Sequence, residues 1–100
     1  MVAIIRRVLK LLIVEDEPAV RNALVRALET EGYELSVAED GTQALATMAR
    51  SPADALVLDV MMPGESGFDF ARRLRAIDGE MSDVPILMLT ARASADDRIT

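Results

Sequence analysis

Asp59 stands at the end of an apolar run, Ala55-Leu-Val-Leu-Asp59, and Pro63 and Gly64 follow within five residues. An apolar run closed by turn residues reads as a buried parallel strand. Open α/β sheets present their ligands at the carboxyl ends of such strands, so Asp59 is either the polar start of a loop or a group that does chemistry. A second run, Leu11-Leu-Ile-Val14, leads into Glu15, Asp16 and Glu17. If the two strands are neighbours, at least three carboxylates meet. Like charges so close repel, and one must take up a proton unless a cation lies among them. A hard divalent ion answers the repulsion, and Mg²⁺ uses a few carboxylates plus water and phosphate oxygens. The plainer alternative sends Glu15 and Glu17 to solvent, where they only favour the N-terminus of the next helix. A third run, Val84-Pro-Ile-Leu-Met-Leu-Thr90, puts a hydroxyl at the equivalent edge and favours the metal pocket.

The elements that must position these groups follow from the pattern. The first strand is expected at Lys10 to Val14. Residues 1–7 are expected as either a short disordered arm or a backward extension of it, and the apolar Ile4, Ile5, Val8 and Leu9 favour the extension. Pro18 suits the first turn of a helix, with Val20, Leu24, Ala27 and Leu28 on one face and Gly32 as the stop. Tyr33 to Ala38 alternates as a second strand, with Tyr33, Leu35 and Val37 on one side. Asp40-Gly41 turns into a helix over Thr42 to Arg50, with Ala44, Leu45 and Met48 inward, and Ser51-Pro52 ends it. After the Asp59 strand comes a loop. Ser66, or the residue before it, then caps a helix from Gly67 to Ile77 whose apolar set is Phe68, Phe70, Ala71, Leu74 and Ile77. Residues 78–83 read as a loop, Pro85 to Leu89 as the fourth strand, and Asp96 to Thr100 as the first turn of another helix. Strand and helix alternate, so the strands are parallel with right-handed crossovers and helices on both faces. No linker or repeat divides residues 1–100, which make one domain.

Composition narrows the chemistry. The 100 residues contain no cysteine and no histidine, which excludes disulfides, thiolate sites, His-ligated zinc and Ser-His or Cys-His catalysis. A hydrophobic share of 51% with 28% charged residues is that of a soluble globular domain. The net charge of −6 argues against nucleic-acid binding by this segment. No apolar run approaches the ~18 residues of a membrane span, and the N-terminus lacks the order of a secretory signal. A cytoplasmic location is the resulting expectation.

Taken together, Glu15-Asp16, the Asp59 in Leu-Asp-Val-Met-Met-Pro-Gly64 and the Thr90 in Leu-Thr-Ala91 resemble the receiver domain of two-component response regulators. Their order and spacing match over almost the whole chain. The resemblance implies a flavodoxin-like, doubly wound parallel sheet. It implies that Asp59 accepts a phosphoryl group from a phosphohistidine on a sensor histidine kinase or from a small phosphodonor, with no turnover of an external substrate. Mg²⁺ would be held by Asp16, Asp59, the Met61 backbone carbonyl and Glu15, the last directly or through water. Thr90 would hydrogen-bond the transferred group and move inward, beside the small Ala91. Charge added at Asp59 would then bias a two-state surface that partners read.

The chain also departs from that pattern. Receivers continue with a complete fourth helix, a fifth strand ending in lysine and a fifth helix, whereas this sequence stops at Thr100. The single lysine, Lys10, lies in the first strand. The fold is thus expected to be incomplete at its C-terminus and phosphotransfer to be impaired. The fourth strand becomes an open edge, which implies a homo-oligomer or a strand-exchanged dimer. The residues after Thr90 resemble the winged-helix DNA-binding class, so any DNA contact belongs to a domain absent here. One rival is a structural, oligomerising fragment that keeps the acidic pocket without phosphotransfer. An aspartate-nucleophile phosphohydrolase would carry a second Asp where Met61 stands. A nucleotide-binding module would need a Gly-rich phosphate loop, which follows none of the strands.

Overall fold

Four apolar runs become four parallel strands in a computed structural model that describes residues 7–89. They are β1 (Lys10–Val14), β2 (Glu34–Ala38), β3 (Ala55–Asp59) and β4 (Ile86–Leu89), in the spatial order β2-β1-β3-β4. Between them run α1 (Pro18–Thr30), α2 (Gly41–Arg50) and α3 (Gly67–Arg75), with a 3-10 turn at Glu80–Asp83. The order explains the layering. The chain steps from β1 to β2 in one direction and then back across β1 to β3. Right-handed crossovers therefore put α1 on one face and α2 and α3 on the other. This is the doubly wound, flavodoxin-like arrangement expected from the sequence.

The register fixes which side chains meet. Leu12 pairs with Leu56 and Val14 with Leu58, and all four are fully buried. They share one face with Ala38 and pack against Ala44 and Met48 of α2 and Phe70 and Leu74 of α3. Ile13 and Val57 pair on the opposite face and are also buried. Both central strands are covered on both sides, which is why they read as continuous apolar runs without alternation.

The elements depart from the sequence pattern in five places. Ala27 is exposed, and Val20, Leu24 and Leu28 are only half-buried, so α1 contains no buried residue. The stripe lies along the sheet and Ala27 sits at its margin. Val37 is 45% exposed, because β2 is an edge strand and its apolar side is only partly covered. Phe68, expected inward, is 53% exposed. It precedes Phe70 by two residues, about 200° around the helix, so it points away when Phe70 and Leu74 point in. Ile77 lies beyond the end of α3, yet still packs on the core through the turn where its N–H meets the Leu74 carbonyl. In place of a plain loop at residues 78–83, the chain forms the 3-10 turn, entered through Gly79 at φ +111°.

Pro85 precedes β4, where its missing N–H costs nothing, and its carbonyl accepts from Leu56 N–H. Residues 7–9 precede β1 without strand structure, with Val8 and Leu9 exposed. The rest of the extension considered for β1 lies outside the described residues, as do Thr90, Ala91 and the helix expected from Asp96.

Candidate metal and phosphoacceptor site

Glu15 and Asp59 emerge together because of strand parity. Glu15 continues the ladder of β1, with its N–H on the Ala38 carbonyl at 3.0 Å. It therefore faces as Ile13 does, and Asp59 faces as its own strand neighbour Val57 does. Ile13 pairs with Val57, so the two carboxylates leave adjacent strands on the same side at the same edge. Both are buried, Glu15 3% exposed and Asp59 8%. Asp16 joins them. One carboxylate oxygen from each of Glu15, Asp16 and Asp59 lies within 4.8 Å of the other two.

The acidic run divides its labour. Glu17 is exposed and caps α1, its carboxylate accepting from Ala19 N–H. Glu15 turns inward, and its Oε2 accepts from Glu17 N–H at 3.0 Å. The solvent-facing alternative thus holds for Glu17 and fails for Glu15, because Glu15 still belongs to the strand ladder. Burial, opposed by that backbone N–H and reinforced by the Asp59 charge, pushes the Glu15 carboxyl from 4.5 up to about 7.

Asp59 is held by the loop that follows it. Its Oδ1 accepts from Met61 N–H at 3.1 Å. Val60 N–H reaches the Leu89 carbonyl at 2.8 Å, and Gly67 N–H returns to the Val60 carbonyl at 2.9 Å. Gly67 is needed for closeness, since a Cβ there would lie 2.4 Å from the Asp59 carbonyl oxygen. Ser66 caps α3 by accepting from Asp69 N–H. Met61 exposes its side chain, and its engaged backbone N–H faces Asp59.

Two contributions escaped the sequence pattern. Arg21, which the helical spacing placed off the apolar face of α1, has a side chain only 15% exposed. Its Nη1 donates to the Glu15 backbone carbonyl at 2.9 Å, and Nη2 lies 3.9 Å from Glu39. It ties the acidic loop to the turn after β2. Its place one turn beyond the Glu-Asp-Glu run was the available signal. Glu65 and Arg73 form the second, a paired carboxylate and guanidinium beside the loop; only their shared fold neighbourhood reveals it.

The donor set fits a hard divalent cation: three carboxylates, no nitrogen or sulfur, and one buried carboxyl that resists ionising without added positive charge. An open cleft of about 540 Å³ lies at the opposite end of the strands, lined in part by Arg7, Met48, Asp54 and Met81, and holds none of these carboxylates.

Comparison with known proteins bears on the family and the fold. A family model described as the response regulator receiver domain matches residues 11–100. The response regulator MprA of Mycobacterium leprae (strain TN) is 46% identical over 91 residues, which are 91% of this chain and 39% of that protein. The chain thus spans about two fifths of the length of the curated relatives it matches. Among solved structures, the N-terminal domain of a response regulator receiver protein from Methanoculleus marisnigri JR1 superposes with a TM-score of 0.79. It is 30% identical, over 91% of this chain and 74% of that one. The receiver domain of sensor histidine kinase PA1611 from Pseudomonas aeruginosa PAO1, with magnesium coordinated in its active site cleft, gives a TM-score of 0.76. It is 33% identical, over 92% of this chain and 75% of that one.

Proposed function

Because the chain belongs to the response regulator receiver domain family, we propose that Asp59 is its phosphoacceptor in a two-component signalling system. The observation that carries this is the buried Asp59 carboxylate at the end of β3, gathered with Glu15 and Asp16 within 4.8 Å. Asp59 Oδ1 is engaged by Met61 N–H, which orients the carboxylate and leaves Oδ2 as the attacking oxygen. A new P–O bond forms as the P–N bond of a phosphohistidine breaks, and the imidazole takes the leaving electron pair. Positioning and charge neutralisation carry nearly all of such a transfer.

Glu15, Asp16, Asp59 and the Met61 backbone carbonyl would hold Mg²⁺, which when bound neutralises the charge that builds between carboxylate and phosphoryl oxygens. Burial raises the Glu15 carboxyl, and added positive charge at the site would favour its ionised form. Thr90, outside the described residues, is assigned the hydrogen bond to the transferred group. The partner is a sensor histidine kinase, which places the domain in the cytoplasm. The acidic balance of −6 leaves DNA contact to another part of a longer protein.

A second reading takes the domain as an oligomerising module. It is favoured by Leu87, 58% exposed on β4, the last strand of the sheet among the described residues. Native mass spectrometry with Mg²⁺ and a small acyl phosphate separates the two. One added phosphoryl group, absent in Asp59→Asn, supports the acceptor role. Unmodified dimers would favour the module.

A further inference from the structure

The loop between β3 and α3 carries Met61 and shapes the surroundings of Asp59, and a pair of opposite charges fastens it. Glu65 accepts two hydrogen bonds from Arg73: Oε2 from Nε at 2.9 Å and Oε1 from Nη2 at 2.8 Å. The Arg73 guanidinium stands 5.4 Å from the ring centroid of Phe70, which is fully buried in the core. The loop is thereby anchored through Arg73 to the most firmly packed part of α3.

The first residue of α2 completes the junction. A Cβ on Gly41 would lie 2.5 Å from Phe70 Cδ1, 2.7 Å from Glu65 Oε1 and 2.9 Å from Arg73 Nη2. Gly41 therefore gives up a side chain where the pair sits. The loop tip next to the pair is solvent-facing: Pro63 and Gly64 are exposed, and Gly64 turns the chain at φ +82°. Apart from the pair, residues 60–66 are held by the hydrogen bonds from Val60 N–H to the Leu89 carbonyl, Met61 N–H to Asp59, Glu65 N–H to the Pro63 carbonyl and Gly67 N–H to the Val60 carbonyl, and by Met62, which is buried in the core.

We propose that Glu65 and Arg73 are positioning residues for the acidic site, a two-pronged latch that holds the β3–α3 loop where Met61 and Asp59 converge on a divalent cation. The inference rests on the assignment of Met61 and Asp59 as ligands. A guanidinium fork on a carboxylate fixes direction as well as distance, which a single ion contact does not. With side chains 42% and 33% exposed, the pair adds little to global stability. Its consequence is local, because outer partners that orient ligands change metal affinity far more than they change folding.

The test is calorimetric titration of the full chain with Mg²⁺, comparing wild type with Glu65→Ala, Arg73→Ala and the double variant. Each single change should weaken binding about threefold to tenfold, and the double variant no further, because the two side chains act as one unit. Glu65→Gln, which keeps one acceptor oxygen, should fall between wild type and Glu65→Ala. Hydrogen exchange of the Met61 amide, measured in chelator, should quicken in Glu65→Ala while the urea midpoint hardly moves. Unchanged Mg²⁺ affinity in both single variants would overturn the inference, as would additive losses or a loss of stability without a loss of affinity. Failure of the wild-type chain to bind Mg²⁺, or undiminished binding by Asp59→Asn, would instead remove the metal site itself, and the latch with it.

Discussion

The Glu15 carboxyl gives the site a measurable signature in the absence of any metal. Buried beside Asp59, it is raised from 4.5 to about 7. A carboxyl raised on folding binds more protons in the native state than in the unfolded one between those values, so stability falls as pH rises through that window. Below about 4.5 the contribution is fully present, and above about 7 it is lost. The whole shift corresponds to roughly 3 kcal/mol, and the part between pH 5 and pH 8 to on the order of 2 kcal/mol. For a domain this small that is a fall of roughly 8–16 °C in Tm, at about 4–8 °C for each kcal/mol. The chain has no histidine, so no other side chain type titrates near neutrality with an ordinary pKa. The assay is urea unfolding at 25 °C in chelator, at pH 5, 6, 7 and 8, for wild type and Glu15→Gln. Wild type should lose stability with rising pH, Glu15→Gln should lose about 2 kcal/mol less, and Mg²⁺ at pH 8 should restore wild type more than the variant. Equal pH slopes for the two proteins, or a wild type that gains stability toward pH 8, would refute the placement of Glu15 as a buried member of the cluster.

Gly67→Ala should destabilise the fold by about 2 kcal/mol or more and reduce phosphoryl uptake, because its Cβ must displace the Asp59 backbone; urea unfolding and native mass read both. Phe70→Ala should cost about 3–5 kcal/mol in the same unfolding assay, since the ring is fully buried between α3 and the sheet. Asp16→Asn should leave a folded chain with Mg²⁺ affinity lowered about tenfold or more by calorimetry, having lost one of three convergent carboxylates. Light scattering should detect dimers that Leu87→Lys disperses, if the surface around exposed Leu87 on β4 pairs between chains; a monomer at high concentration removes the oligomer proposal.

Much of this protein was legible in the residues alone. Runs such as Leu11 to Val14 and Ala55 to Leu58 declare buried parallel strands, because a strand covered on both faces has no polar side to alternate with. Asp59, Glu15 and Asp16 stand out together, because two apolar runs that both end in acid bring like charges into one place if the strands are neighbours. Helix limits at Pro18, Ser66 and Arg50 follow from local backbone chemistry, which needs no distant partner. What the tertiary structure decided was direction and company. The sequence allowed Glu15 and Glu17 to share one fate. The continued ladder from Glu15 to Ala38 turns the first inward and leaves the second as a cap. Phe68 and Phe70 look alike in composition, yet two residues of helical rotation expose one and bury the other. Arg21 bonds the Glu15 carbonyl although it lies off the apolar stripe of its helix, and Glu65 meets Arg73 across eight residues only because the loop folds back on α3. A sequence fixes which groups are available and the period on which they recur. Only the packing of β1 against β2 and β3 determines which of them share a dielectric, and so which carboxyl is lifted to about 7.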